Sequence, residues 1–136
     1  MDVVVDANIL MSALIKDSHT RKLLVLSNNN FYTPEYVFDE INNHIDELEE
    51  KSGMPKELIK EVISEIIHLA NVHIIPITEL EKHYDKAKRI TPDKDDTYYF
   101  ALALKNNCPI WSNDKKLKTQ NKITIYNTTE ITEKHT

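Results

Sequence analysis

A chain of 136 residues with 40% hydrophobic composition carries enough apolar side chain for one globular domain with one sizeable core, so a single domain over 1–136 is expected. A net charge of -5 disfavours indiscriminate binding to nucleic acid, which rests on Lys and Arg neutralising phosphates; any nucleic-acid role has to be local or metal-assisted. The lone Gly53 excludes glycine-rich nucleotide loops, the lone Cys108 excludes an intrachain disulfide and favours a reducing cytoplasmic setting, and no apolar run approaches the roughly 20 residues that span a bilayer.

Val3 to Val5 reads as a buried strand, with no basic leader before it, so no secretory segment is expected. Ile9, Leu10, Ala13 and Leu14 recur at helical spacing and predict a short helix or helix pair, Ile9 to Ile15 and Arg21 to Leu26. Asn28 to Asn30 break that pattern. Phe31 to Thr33 predicts a brief strand, and Thr33-Pro34 a helix start, with Thr33 as N-cap and the helix running to about Glu50. Lys51-Ser52-Gly53 ends it, and Pro55 opens a second helix through Ala70 carrying Leu58, Val62, Ile66 and Leu69, so that a helical hairpin covers about 34–70. A third strand follows at His73 to Ile77, then helices at Glu79 to Lys88 and Asp96 to Lys105, strands at Ile110 to Trp111 and Ile123 to Tyr126, and a frayed tail from Glu130 to Thr136. Strands separated by helices imply parallel pairing with helices on both faces. The expected class is α/β, a three-layer α/β/α sandwich around a central parallel sheet.

In open parallel sheets, ligands bind outside the carboxyl ends of the strands, so acids just after strands rank above the rest. Asp6 follows Val3 to Val5, and Asp114 follows Ile110 to Trp111 in WSND. Each is open to a plainer reading as the N-cap of the next helix. In PEYVFDEINNHIDELEE a stripe of Val37, Ile41, Ile45 and Leu48 places Asp39, Asp46 and Glu50 on the opposite, solvent side, while Glu40, Tyr36, His44 and Glu47 fall at the border. Glu40 is the best placed of these acids to lean into a cleft. Asp96 shares a helix face with Phe100 and Ala103, where a carboxylate is costly to desolvate unless compensated, and its first-turn position gives part of that compensation. Asp93 is open between a cap and an auxiliary catalytic role, and Asp95 faces solvent. Four converging carboxylates would repel one another without a cation. They make physical sense around a hard divalent ion such as Mg²⁺ or Mn²⁺.

VVVDANIL, the Glu in YTPEYVFDEI, the stretch DKDDTYYFALAL and WSNDKKL, in this order and over nearly the whole chain, resemble the PIN domain family of metal-dependent ribonucleases, which includes VapC-type toxins of toxin-antitoxin pairs. The resemblance implies a parallel-sheet α/β domain whose acids bind one or two Mg²⁺ or Mn²⁺ ions and hydrolyse RNA phosphodiester bonds. Asp6, Glu40, Asp96 and Asp114 match the acidic quartet, and Asn8 and Ser112 match supporting polar positions beside the first and last. Asp93 matches an extra acid of some members. Asn8 stands where Thr or Ser is also common. The implied partners are an RNA substrate, a protein antitoxin and a second copy of the chain in a homodimer. RNA-processing nucleases without an antitoxin and non-catalytic relatives belong to the same family and stay open as alternatives.

Lys115, Lys116, Lys118 and Lys122, crowded beside Asp114, are candidate phosphate contacts or a solvated helix face. Lys16, Arg21 and Lys22 form a weaker cluster. The six histidines show neither HExxH nor zinc spacing with Cys108, and no GxSxG elbow is possible. Trp111 and Tyr99 could stack on bases or fill the core. Met11, Leu14, Leu23, Leu24 and Leu26 could form a dimer or antitoxin surface or ordinary core. A phosphoacceptor receiver domain also places acids after parallel strands, but it requires an acid pair by the first strand, where Asp6 stands alone.

Overall fold

The structure is a computed structural model that describes residues 1–15 and 19–135. β1 (Asp2–Val5), β2 (Asn30–Pro34), β3 (His73–Ile75), β4 (Ile110–Trp111) and β5 (Ile125–Tyr126) form one sheet in the order β3-β2-β1-β4-β5, every pairing parallel. The helices are α1 (Ala7–Ile15), α2 (His19–Leu26), α3 (Tyr36–Asn43), α4 (Ile45–Ser52), α5 (Lys56–Leu69), α6 (Glu81–Ile90), α7 (Thr97–Asn106) and α8 (Thr128–His135). The α/β/α sandwich expected from the alternation of elements is the one observed.

The two-residue period of a strand divides the core into two layers. Val3, Val5, Phe31 and Trp111 point to one face, under α1 to α5 and Ile131 of α8. Val4, Ile110 and Ile125 point to the other, under Leu80, α7 and Leu117. All three valines of β1 are fully buried because β1 is the central strand, covered on both faces. At roughly 1.5–3 kcal/mol for each such side chain, this strand is the fold's main anchor.

Several boundaries differ from the sequence expectations, each for a local reason. Thr33 and Pro34 do not start a helix. They finish β2, where the Thr33 hydroxyl donates to the Val5 carbonyl at 2.8 Å, and the helix begins at Tyr36 with Glu35 as its N-cap residue. The long helix expected to about Glu50 breaks at His44 into α3 and α4, yet Val37, Ile41 and Leu48 still face the core. In α5 the buried stripe is Ile59, Ile63 and Ile66; of the expected residues Ile66 is buried and Val62 packs partly buried against the core, whereas Leu58 and Leu69 are 40% and 58% exposed. The chain end is helical through His135 instead of frayed from Glu130. Ile131 is fully buried there, and Asn127 and Glu130 form a reciprocal cap, Glu130 N–H donating to Asn127 Oδ1 and Asn127 N–H to Glu130 Oε1. Thr136 lies outside the described residues. Gly53 takes φ +72° at the end of α4, a left-handed conformation suited to glycine. No helix among the described residues is long and apolar enough to cross a membrane.

Candidate active site

The strand order creates the site. β1, β2 and β3 are laid down in one direction, and the chain then returns to place β4 on the other side of β1. Where successive connections leave a parallel sheet in opposite directions, the carboxyl ends of the two strands open into a crevice. Val5 pairs with Trp111, so the next residues, Asp6 and Ser112, emerge side by side at that switch point. Both are buried, Asp6 at 4% exposure and Ser112 at 1%.

Asp6 Oδ1 accepts from the Ile9 backbone N–H at 3.1 Å, capping the first turn of α1. Asp114 Oδ1 accepts from Lys116 N–H at 3.0 Å and caps the short 3-10 turn Lys115–Thr119. The cap and cleft readings are therefore compatible, because one carboxylate oxygen closes the backbone and the other stays available. Ser112 stands between the pair: its side chain lies close enough to Asp6 to favour that group's charged form, and its Oγ accepts from Asp114 N–H at 3.1 Å.

Asp96 ends a 3-10 turn, Lys94–Asp96, that leads into α7. Phe100 and Ala103, fully buried, seat that helix against the sheet and bring the carboxylate toward Asp6. Burial pushes Asp96 up to about 7, and the charges of Asp6, Glu40, Asp93 and Asp114 push in the same direction. Burial likewise raises Asp6 to about 6. The Ser112 and Ile9 hydrogen bonds oppose that rise, and the Glu40 and Asp114 charges add to it. Glu40, on α3, is raised chiefly by burial, with Tyr99 and His44 opposing and Asp95 and Asp93 adding. Its Oε1 is buried with no hydrogen-bond partner among the described residues, and so is the Tyr99 hydroxyl. Tyr99 lies close enough to bias Glu40 toward its charged form, without a hydrogen bond of good geometry between them.

No three His, Cys, Asp or Glu side chains among the described residues are already drawn into a metal-binding group. The donors nevertheless fit a hard divalent cation. Asp6, Glu40, Asp96 and Asp114 are all carboxylates, burial and neighbouring like charge raise Asp6, Glu40 and Asp96, and Glu40 Oε1 has no hydrogen-bond partner among the described residues. A cation would relieve all three conditions.

The other expected residues fall in different places. Asp93 accepts from Asp95 N–H at 3.0 Å, capping the turn before Asp96, and its Oδ2 lies 3.5 Å from Lys116 Nζ. Lys116 thereby ties the Asp114 turn to the Asp96 turn. Lys118 pairs with Glu130, while Lys115 and Lys122 are exposed. Asn8 is exposed on α1, two residues beyond Asp6, and lines a groove with Met11, Ser12, His44, Glu47 and Lys51. Arg21 Nε donates to the Ala13 carbonyl, Lys22 is exposed, and Lys16 lies outside the described residues. Met11, Leu14, Leu23 and Leu24 are core, while Leu26 is 74% exposed. Trp111 and Tyr99 are buried, so neither offers a free ring face to a base.

Two contributors had no clear signal in the sequence. Thr33 bonds the carbonyl that precedes Asp6, a role hidden by its neighbour Pro34. Tyr36 lies four residues before Glu40, one helical turn away, and its ring meets Tyr98 and Tyr99 at centroid distances of 5.2 and 6.3 Å. Its place at the border of the α3 stripe was the only hint.

A sequence model described as the PIN domain matches residues 4–134. No curated protein sequence matches the chain. Among solved structures, the chain is similar to one in VapBC2 from Rickettsia felis bound to a DNA fragment from their promoter, at 20% identity and TM-score 0.68, covering 93% of this chain and 98% of that one. It is also similar to a chain of FitAB bound to the IR36 DNA fragment, at 16% identity and TM-score 0.66, covering 93% and 94%. A chain of VapBC-1 from nontypeable Haemophilus influenzae matches at 16% identity and TM-score 0.64, covering 95% and 99%.

Proposed function

The chain belongs to the PIN domain family, and from that premise we propose that it is a metal-dependent endoribonuclease that hydrolyses RNA phosphodiester bonds. The observation that supports this reading most directly is the set of carboxylates at the sheet's switch point, with Asp6 raised to about 6 and Asp96 to about 7 by burial and mutual repulsion. Structural acids are normally paired or solvated, and these await a cation.

Asp6 and Asp96 are the proposed ligands, with Asp114 and Glu40 completing the set. A bound Mg²⁺ or Mn²⁺, one ion or two, would neutralise charge on the transferring phosphoryl group and favour departure of the leaving oxygen. Water adds to phosphorus in line as the bond to the leaving ribose oxygen breaks, and Glu40, where it does not hold a second ion, would orient that water and accept its proton. Ser112 favours the charged form of Asp6, and the Asp93–Lys116 contact holds the Asp96 and Asp114 turns together. Asn8, two residues beyond Asp6, is proposed as a supporting polar group beside it. Lys115 and Lys122 are the cations available to phosphates flanking the scissile bond; Lys116 and Lys118 are the weaker candidates because acids already hold them.

The biological setting we propose is the toxin of a type II toxin-antitoxin pair, acting in the cytoplasm as a homodimer restrained by a protein antitoxin. Its support is the likeness in fold and length to chains of VapBC2, FitAB and VapBC-1.

The test is cleavage of mixed cellular RNA by the purified protein with Mg²⁺ or Mn²⁺, beside EDTA and folded Asp6→Asn and Asp96→Asn variants. Cleavage lost in EDTA and in both variants establishes the reading. A folded wild type that neither cuts RNA nor binds Mn²⁺ overturns it in favour of a non-catalytic module.

A further inference from the structure

From the carboxylates a row of tyrosine rings leads outward. Tyr36 sits one helical turn before Glu40 on α3, and both Glu40 and Asp96 act on its hydroxyl. Its ring meets Tyr98 of α7, two residues beyond Asp96, at 5.2 Å and 48°, and Tyr98 meets Tyr84 of α6 at 5.2 Å and 51°. Tyr36, Tyr98 and Tyr84 are each only partly buried. At the outer end, Tyr84 and Tyr98 line a groove of about 270 Å³ with Ile77, Glu81 and Asp85.

Resting on the nuclease reading above, we propose that this groove is a base-stacking subsite for single-stranded RNA, holding an unpaired base of the strand that leads outward from the scissile phosphate. Three observations select that occupant. The row starts one helical turn from Glu40 and two residues from Asp96, so it offers a strand held at the acids a path outward. The groove offers aromatic faces and one aliphatic side chain, which suit a flat ring; bases of any identity have such a face. The charged residues at its rim, Glu81 and Asp85, are acids, which repel a phosphate and tolerate a neutral base. The backbone phosphates therefore run outside the groove.

α6 supplies little else that explains Tyr84. Of its residues only Ala87 is buried, and the helix is otherwise largely polar and charged. A Tyr on such a helix, laid against a second partly open Tyr, gives the surface an aromatic platform without adding to the fully buried core.

The experiment measures binding of labelled oligoadenylate to wild type, Tyr84→Leu and Tyr84→Phe in EDTA, where cleavage is blocked, and then KM for RNA cleavage with Mn²⁺. Circular dichroism checks that the variants fold. The expected result is about tenfold weaker binding for Tyr84→Leu with KM raised in step, and binding within about twofold of wild type for Tyr84→Phe, which keeps the ring. Wild-type binding and KM in a folded Tyr84→Leu overturn the subsite and leave the nuclease reading standing. Equal losses in the Leu and Phe variants also overturn it, since the hydroxyl and not the ring would then be responsible. A wild type that neither binds nor cuts RNA removes the nuclease reading and the subsite together.

Discussion

Two acidic regions of this molecule treat the same side chains in opposite ways. On α4, Asp46 and Glu47 lie at the surface: Lys56 Nζ is 2.6 Å from Asp46 Oδ1, Lys51 Nζ is 2.6 Å from Glu47 Oε1, and the Lys51 hydrogen bond, with His44 helping, holds Glu47 below its ordinary value. In the cleft, Asp6 and Asp96 are partly or wholly withdrawn from water, placed near other acids and paired with no Lys or Arg among the described residues, and both rise. The acids of α4 are thus solvated, and the functional candidates are acids from separated parts of the chain that the fold gathers, two of them, Glu40 and Asp96, drawn from acidic stretches whose other members face solvent. Acid density measures solvation, whereas burial without a cationic partner marks a site.

The strongest way to break this contrast is mutation of each region. Asp6→Asn or Asp96→Asn should lower RNA cleavage on the order of 100-fold or more, the scale of losing one electrostatic partner in a transition state, while Glu47→Gln should leave it unchanged. A Glu47→Gln enzyme as damaged as Asp96→Asn would erase the distinction.

Stability against pH sharpens it next. Asp6 and Asp96 hold protons more tightly folded than unfolded, where the ordinary value is 3.8, so the folded state binds more protons between pH 4 and 7. Without metal, their contribution is fully present below about pH 4 and is lost as pH rises through about 6 to 7. For Asp6 the loss is about 3 kcal/mol. Urea titrations of wild type and Asp6→Asn at pH 5 and 8 in EDTA should show the wild type losing more, and parallel losses would contradict the assignment.

Metal should restore what pH removes. At pH 8, Mn²⁺ at 100 times its dissociation constant should stabilise wild type by about 2.7 kcal/mol, and the Asp6→Asn/Asp96→Asn double variant by far less, read as a shift in Tm. The smallest effect belongs to α4. Lys51→Ala breaks an exposed pair, which screening leaves with little weight, and its Tm should not move measurably at any pH.

Much of the frame was legible because it rests on local pattern. Three β-branched residues followed by Asp announced β1 and its carboxyl end, and the phase of Val37, Ile41 and Leu48 placed Glu40 at the edge of a buried face. What stayed hidden depends on tertiary contact. Thr33-Pro34 carries a helix-start signal, but pairing with β1 and β3 holds it extended. Leu58 and Ile59 are equally apolar, so only the position of α5 against α1 and α2 decides which one is buried. The lysines beside Asp114 looked uniformly available, and which of them an acid already occupies depends on residues 12 or 23 positions away.

The double duty of Asp6 bears on how such a chain could lose its activity. Its Oδ1 closes the first turn of α1, a task Asn, Ser or Thr also performs. A lineage that abandoned catalysis would still be selected for a capping residue at this position, so a polar residue there is weak testimony of function. Glu40 carries no comparable architectural duty, and its buried, unpartnered oxygen is a liability in a chain without metal. Decay should therefore strike Glu40 first, and survival of the acid at position 40 is the better mark of a working enzyme.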